Sequence, residues 1–488
     1  MRILQVASEA FPLVKTGGLA DVVGALSGAL SARGHDVALL LPCYRETMRA
    51  AVSGRGAFIE LGDPLGIGPA RLRPATLPDT DVRVWLLDAP QQFDRLGGPY
   101  LDDRGYDHPD NHLRFGLLSR VAASLASFGG LAGWVPDVVH AHDWQTGLVP
   151  AYQCAFGGRS APTLFTVHNL HFAGRFDPGQ LPALGLPPAM FDVEGVELYG
   201  AASALKAGLY YADALSTVSP SYAAEICTPE GGRGLHGLLQ TRRADLHGVL
   251  NGIDTRVWNP SADPLLPARY TVGDLRGKAL CQASLRTRFC VREGGHVLAV
   301  VSRLTDQKGI DLLLDAWPVV ARRHDVRLCV LGSGDPALEA RLADAAQADP
   351  ERVGFIRGYD EPLSHLLVAG ADALCVPSRF EPCGLTQMYA LRYGTLPIVR
   401  RTGGLGDTVT DVDRDPVQGD GVVFDAPTAD ALAVAIGRAL GVLADPARHG
   451  AVQARGMARP LGWDHAVLGY ERLYASLSPE HSPASTPT

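Results

Sequence analysis

The chain has 488 residues, too many for one ordinary hydrophobic core, so two large domains are the first expectation. Its formal net charge of −8 offers no basic face at the level of the whole chain. This argues against nucleic acid as a partner and leaves room for local cationic pockets.

Strand-like and helix-like segments alternate from the start. "RILQVAS" reads as a strand, and "GGLADVVGALSGALSARG" as a helix with Leu19, Val22, Val23, Leu26 and Leu30 on one face and a stop at Gly34. The strands "HDVALLLP" and "VRVWLLD", the helix "NHLRFGLLSRVAASLASF", the strand "DVVHAHD" and the helix "WQTGLVPAYQCAF" follow. After them come the strands "TLFTVHN", "ADALSTVS" and "DLHGVLNG". Turn and breaker residues crowd residues 251–267, "NGIDTRVWNPSADPLLP", which are expected to link two domains at 1–250 and 268–460.

The second half repeats the alternation from "HVLAVVSRL" and "DLLLDAWPVVARRH" to "ADALCVPS", "GLTQMYALRYG" and "TLPIVRRTGG". Near-continuous apolar strands between amphipathic helices predict parallel sheets covered on both faces, an α/β fold with two doubly wound domains. A last helix is expected in "WDHAVLGYERLYASL", and the polar, Pro-rich tail at 479–488 is expected to be disordered. The longest apolar runs are strand-sized, so no membrane span is expected. The N-terminal "MRILQVASEAF" lacks the apolar core of a signal peptide. The eight cysteines include no CxxC pair. Reduced thiols and a cytoplasmic location fit that pattern.

In open α/β sheets, ligands sit beyond the carboxyl ends of strands. The unusual motifs all fall at such places: "KTGGLAD", "HAHDW", "TVHNLHFAG", "SRLTDQKG", "PSRFEPCGLTQ" and "RRTGGLGD". The doubled TGGL predicts two glycine-rich loops, one per domain, with Gly17 and Gly18 in the first and Gly403 and Gly404 in the second, looking into one crevice. Of 44 basic residues only four are lysines, at 15, 206, 278 and 308. A lysine kept inside a glycine-rich motif is a candidate for chemistry needing a compact ammonium. Lys15, Arg303 and Lys308 together could neutralise a departing nucleoside diphosphate without a metal. Glu381, ahead of Cys383, Gly384, Leu385 and Thr386 at a helix start, could bind sugar hydroxyls or a developing positive charge. It could equally serve as a simple cap. Asp143 and His168, each at a strand end, could hold sugar hydroxyls, although Asp143 could also be only an N-cap. Five such groups from His140 to His171 show no zinc spacing. The acidic triplet "DVD" at 411–413 reads as a polar turn. Neither a P-loop nor GxGxxG after a strand occurs, which disfavours a nicotinamide enzyme.

The same motifs, in order over about residues 1–475, closely resemble the bacterial glycogen synthases, ADP-glucose-dependent retaining glucosyltransferases of the GT-B fold, with plant starch synthases as relatives. The resemblance implies two Rossmann-like domains facing across a deep cleft, with a helix at 461–478 returning to the N-terminal domain. It implies that Lys15, Arg303 and Lys308 bind the ADP phosphates and that Glu381 and the backbone of Cys383–Thr386 hold the glucosyl unit. It further implies that Asp143, His168 and Asn251 line the donor–acceptor cleft and that Asp21 supports the first loop. ADP-glucose and an α-1,4-glucan would be the substrates, with no cofactor and no metal. A nucleotide-sugar epimerase on the same architecture and a UDP-glucose-using transferase are the competing readings. The sequence departs from relatives at His171-Phe172-Ala173-Gly174, where Ala-Tyr-Gln-Gly is usual, and at Gln145, where His is common. Both bear on acceptor contacts.

Overall fold

The computed structural model describes residues 1–53, 56–127, 133–157 and 160–477; the expected tail at 479–488 and residue 478 lie outside them. The chain divides into two compact units. One comprises Met1–Val218, Ala223–Gly252 and the segment from Trp463 onward, the other Ser219–Tyr222 and Ile253–Gly462.

The first unit is built on β1 (Arg2–Val6), β2 (Asp36–Pro42), β3 (Ala70–Thr76), β4 (Arg83–Asp88), β5 (Val138–His142), β6 (Thr163–Val167), β7 (Ala214–Thr217) and β8 (Leu246–Gly248). They lie side by side in the order β8-β7-β6-β5-β1-β2-β4-β3. In β1 and β2 every residue after the first is buried, as an apolar run covered on both faces must be. The helix α1 (Gly18–Ala32) buries Leu19, Val22, Val23, Leu26 and Leu30, the stripe expected from their three-and-four spacing. Further helices are α2 (Asn111–Ala126), α3 (Leu148–Phe156) and α4 (Ala204–Tyr211).

Two features depart from the sequence expectation. The strand β3 runs antiparallel to β4, and its "ARLRPAT" alternates buried and half-buried positions with a proline and two arginines, the pattern of a half-covered strand toward a sheet edge. The helix expected from Trp144 begins as a separate 3-10 turn, Trp144–Thr146, with α3 following.

The chain leaves β1 toward β2 and β4 and later returns to β5 on the other side of β1. This reversal creates a switch point where the loops after β1, β5 and β6 emerge together at the carboxyl edge.

The second unit has β9 (His296–Val301), β10 (Val326–Gly332), β11 (Val353–Arg357), β12 (Ala373–Val376), β13 (Leu396–Arg400) and β14 (Val422–Phe424). They are parallel throughout, in the order β11-β10-β9-β12-β13-β14. Its helices include α5 (Arg276–Phe289), α6 (Ile310–Arg323), α7 (Pro336–Ala348), α8 (Glu361–Gly370), α9 (Thr386–Arg392), α10 (Gly403–Thr408), α11 (Ala429–Leu443) and α12 (Pro446–Ala458). Within the stretch 251–267, Ile253, Trp258 and Leu266 are buried in this unit's core. Trp258 is sandwiched between His365 and Tyr389 with ring centroids 3.8 and 3.7 Å away. The last helix, α13 (Trp463–Leu477), packs against α1 in the first unit. All eight cysteines are free, and six of them are buried.

Two of the four lysines are structural. Lys206 Nζ donates to the carbonyls of Val193, at 2.7 Å, and Glu197, tying down the segment ahead of α4. Lys278 Nζ donates to Ala369 O and Thr395 Oγ1, each at 2.7 Å. The other two, Lys15 and Lys308, stand in loops at strand carboxyl ends.

Candidate active site

In the first unit the loop after β1 is organised around the buried carboxylate of Glu9. It accepts hydrogen bonds from Thr16 N (2.5 Å), Thr16 Oγ1 (2.9 Å), Gly17 N (3.3 Å) and Tyr100 Oη (2.8 Å). Burial pushes the Glu9 pKa up against the opposing pull of these bonds. The arrangement fixes the backbone of Thr16 and Gly17, and so presents Lys15. Its ammonium lies 2.9 Å from Asp21 Oδ1 on α1 and 5.4 Å from the Phe11 ring centroid. A Cβ on Gly17 would meet no atom within 4 Å; this loop is open.

At the end of β5, Asp143 adopts a positive φ of 56°, a conformation uncommon outside glycine. Its Oδ1 accepts from His168 N at 2.7 Å and Asn169 N at 3.4 Å, clasping the loop after β6. Its side chain makes no capping hydrogen bond to the turn Trp144–Thr146, so Asp143 serves the loop after β6 instead of the turn that follows it. Desolvation pushes its pKa up to about 7. His168 is pushed down to about 3 by burial, and His140 and His142 well below their usual value for the same cause. All three imidazoles are neutral at pH 7 and act as hydrogen-bonding groups. Among the described residues no group of three or more His, Cys, Asp or Glu is arranged to hold a metal ion. Asn251 and Gln145 are buried with side-chain oxygens that find no hydrogen-bond partner among the described residues, and His171 is exposed.

In the second unit the loop after β9 carries Arg303, exposed and without a side-chain partner among the described residues, and Lys308. Lys308 Nζ donates to Glu381 Oε2 at 2.6 Å, and Ser378 Oγ donates to the same oxygen at 2.8 Å. Glu381 is buried, so its charge is held by a short charge-assisted bond instead of by water. The two loops are further laced together by Arg379 N donating to Gln307 O at 2.8 Å and Gln307 Nε2 donating to Phe380 O at 3.2 Å. Cys383, Gly384 and Leu385 then lead into α9, which starts at Thr386.

The second TGGL loop differs from the first in kind. Gly403 and Gly404 are buried, and Gly404 N donates to the carbonyls of Glu381 and Pro382 at 3.1 Å each. Gly403 has φ +43°, and a Cβ there would lie 2.0 Å from Glu381 O. These glycines let one backbone rest on another; the loop is a bed for the Glu381 segment, whereas the Gly17 loop faces open space.

The acidic triplet is engaged by guanidinium groups. Arg438 Nη2 lies 2.7 and 2.9 Å from the two Asp411 carboxylate oxygens, Arg438 Nε 2.6 Å from Asp413 Oδ2, and Arg448 Nη2 2.6 Å from Asp413 Oδ1.

The structure thus brings Lys15 to Asp21, Asp143 to His168, Lys308 to Glu381, and Gly403 and Gly404 to the Glu381–Cys383 backbone. Tyr100 and the anchoring use of Glu9 were missed by sequence reasoning. "GGPYL" carries no motif that marks Tyr100, whereas Ser378 stands inside "PSRFEPCG" and was open to discovery.

Two α/β units, the first on a largely parallel sheet and the second on a wholly parallel one, with cationic and carboxylate groups gathered at strand carboxyl ends, have the architecture of the GT-B glycosyltransferases, and family profiles place the chain in that class. The profile of the starch synthase catalytic domain matches residues 2–241, and that of group 1 glycosyl transferases matches residues 285–442. The chain is 50% identical over 480 residues to a glycogen synthase from Rhodospirillum rubrum, covering 98% of each chain. A Paramagnetospirillum magneticum glycogen synthase is 46% identical with the same coverage. Among solved structures, the catalytic domain of Arabidopsis thaliana starch synthase IV, bound to ADP and acarbose, superposes with a TM-score of 0.87 at 30% identity, covering 98% of this chain and 99% of that one. This chain belongs to the glycogen and starch synthase family. Among the described residues no helix is long and apolar enough to cross a membrane.

Proposed function

We propose that this enzyme elongates an α-1,4-glucan, transferring glucose from ADP-glucose to a non-reducing 4-hydroxyl with the anomeric configuration retained. The observation that carries the reading is the Lys308–Glu381–Ser378 cluster in a chain that is half identical to a glycogen synthase over nearly its full length. Lys15, Arg303 and Lys308 stabilise negative charge on the departing diphosphate, the term expected to be largest in such a reaction. Glu381 and the backbone of Cys383–Thr386 hold the glucosyl unit; Asp143, His168 and Asn251 contact sugar hydroxyls, and Asp21 orients Lys15.

The motifs offer no pair of carboxylates for a double displacement. The proposed path is breakage of the C1–O bond to ADP, a short-lived oxocarbenium-like species shielded on one face, and attack by the acceptor hydroxyl, whose proton passes to the departing phosphate. No cofactor or metal takes part, and eight free cysteines fit a cytoplasmic location. The test is glucan-dependent ADP release from ADP-glucose, compared with UDP-glucose and repeated with a chelator. Release that needs glucan, prefers ADP-glucose and survives chelation supports the proposal. Sugar interconversion without glucan would instead identify an epimerase.

A further inference from the structure

Seven polar side chains of the first unit form an unbroken hydrogen-bonded file. It runs from Ser216 on β7 to Thr166 on β6 (2.5 Å), His140 on β5 (2.6 Å) and Tyr474 on α13 (2.7 Å). From Tyr474 it continues to Gln5 on β1 (3.1 Å), His142 on β5 (2.7 Å) and His168 after β6 (2.9 Å). The first six members are fully buried; only His168 is partly open.

The donors and acceptors are set by one amide. Gln5 Oε1 faces His142 Nε2, and Gln5 Nε2 faces Tyr474 Oη. A carbonyl oxygen can only accept, so His142 Nε2 carries the proton. A neutral His142 then has a lone pair on Nδ1, and His168 must donate to it through Nε2. On the other side, Gln5 donates to Tyr474, whose hydroxyl donates to His140 Nδ1. His140 Nε2 donates to Thr166, and Thr166 donates to Ser216. Every link points the same way, so none opposes another.

We infer that this file selects the tautomer of His168, with the proton on Nε2 and Nδ1 left as an acceptor, and that Gln5, His142 and Tyr474 are positioning residues acting through it. Second-layer partners commonly fix imidazole tautomers in this way. The use of Nδ1 to receive a sugar hydroxyl rests on the proposed function; the tautomer itself does not. Through Tyr474 the final helix of the chain takes part in presenting a group that belongs to a loop about three hundred residues earlier in sequence.

The experiment is long-range ¹H–¹⁵N spectroscopy of the full-length enzyme with labelled histidine, without substrate at pH 7. The expected spectrum shows His142 and His168 neutral with the proton on Nε2. A proton on Nδ1 of His168, or an imidazolium there, overturns the inference, and this reading needs no variant. His142→Phe removes the acceptor and Tyr474→Phe releases the Gln5 amide. Each is expected to mix the His168 tautomers and lower kcat by about 10–100-fold, with the KM for ADP-glucose changed far less. His142→Asn places Oδ1 near the position of Nδ1 and is expected to restore both the tautomer and most of the turnover. A His168 signal unchanged in both Phe variants overturns the inference. Full turnover in His168→Ala would refute substrate contact by His168 and leave the spectroscopic result standing.

Discussion

Substituting Gly403 by Ala perturbs the bed on which the Glu381 segment rests. The added Cβ would sit 2.0 Å from Glu381 O, whereas such contacts are essentially never shorter than 3.0 Å. The carbonyl and the two loops laced to it must therefore move by about 1 Å, an overpacking cost of ~1–3 kcal/mol. Holding alanine at φ +43° adds ~1–2 kcal/mol. The total of ~2–5 kcal/mol lowers the melting temperature of a unit of this size by roughly 4–20 °C. A 1 Å displacement of Glu381 lowers turnover by about 100-fold. Gly17→Ala is the matched control. Gly17 is extended at φ −158° with open space around its Cβ position, so its melting temperature should stay within ~2 °C of the parent. Calorimetry and the ADP-release assay read both variants. If Gly403→Ala melts with the parent and keeps its turnover, the supporting role of the second loop is refuted.

Lys308→Ala is expected to reduce kcat by about 10²–10³-fold; steady-state kinetics decide this. Asp143 titrates near pH 7 in the folded protein and near 3.8 when exposed. The stability contributed by its protonated form is present below pH 3.8 and is lost as pH rises through about 7. Asp143→Asn, which keeps an acceptor for His168 N, should therefore gain melting temperature relative to the parent as pH is raised from 5 to 8.5, and a constant difference would contradict the shift. Asp411→Ala leaves Arg438 without its buried carboxylate and is expected to cost ~3–5 kcal/mol in denaturant unfolding, while chelators leave activity unchanged.

The parallel sheets were legible because their strands are apolar runs buried on both faces, and α1 because its apolar stripe has helical spacing. The antiparallel β3 was not, since "ARLRPAT" mixes a proline with two arginines and its strand character depends on pairing with β4. The cationic residues could be picked out by type and position, as Lys15 and Lys308 stand in glycine-rich motifs of a lysine-poor chain. The unlike use of the two TGGL loops could not. Identical glycines serve open backbone at Gly17 and backbone-on-backbone contact at Gly403, and only the surrounding atoms distinguish them. The file through Gln5 and Tyr474 joins positions near opposite ends of the chain, a contact without local periodicity to announce it.

The most direct test of glucosyl transfer is to incubate the enzyme with ADP-glucose labelled in its sugar and with glycogen, then digest the product with β-amylase, which cleaves α-1,4 links from non-reducing ends. Label bound to glycogen and released as maltose is the predicted result. Label that stays out of the glucan, or enters it in a form β-amylase cannot release, would contradict the account.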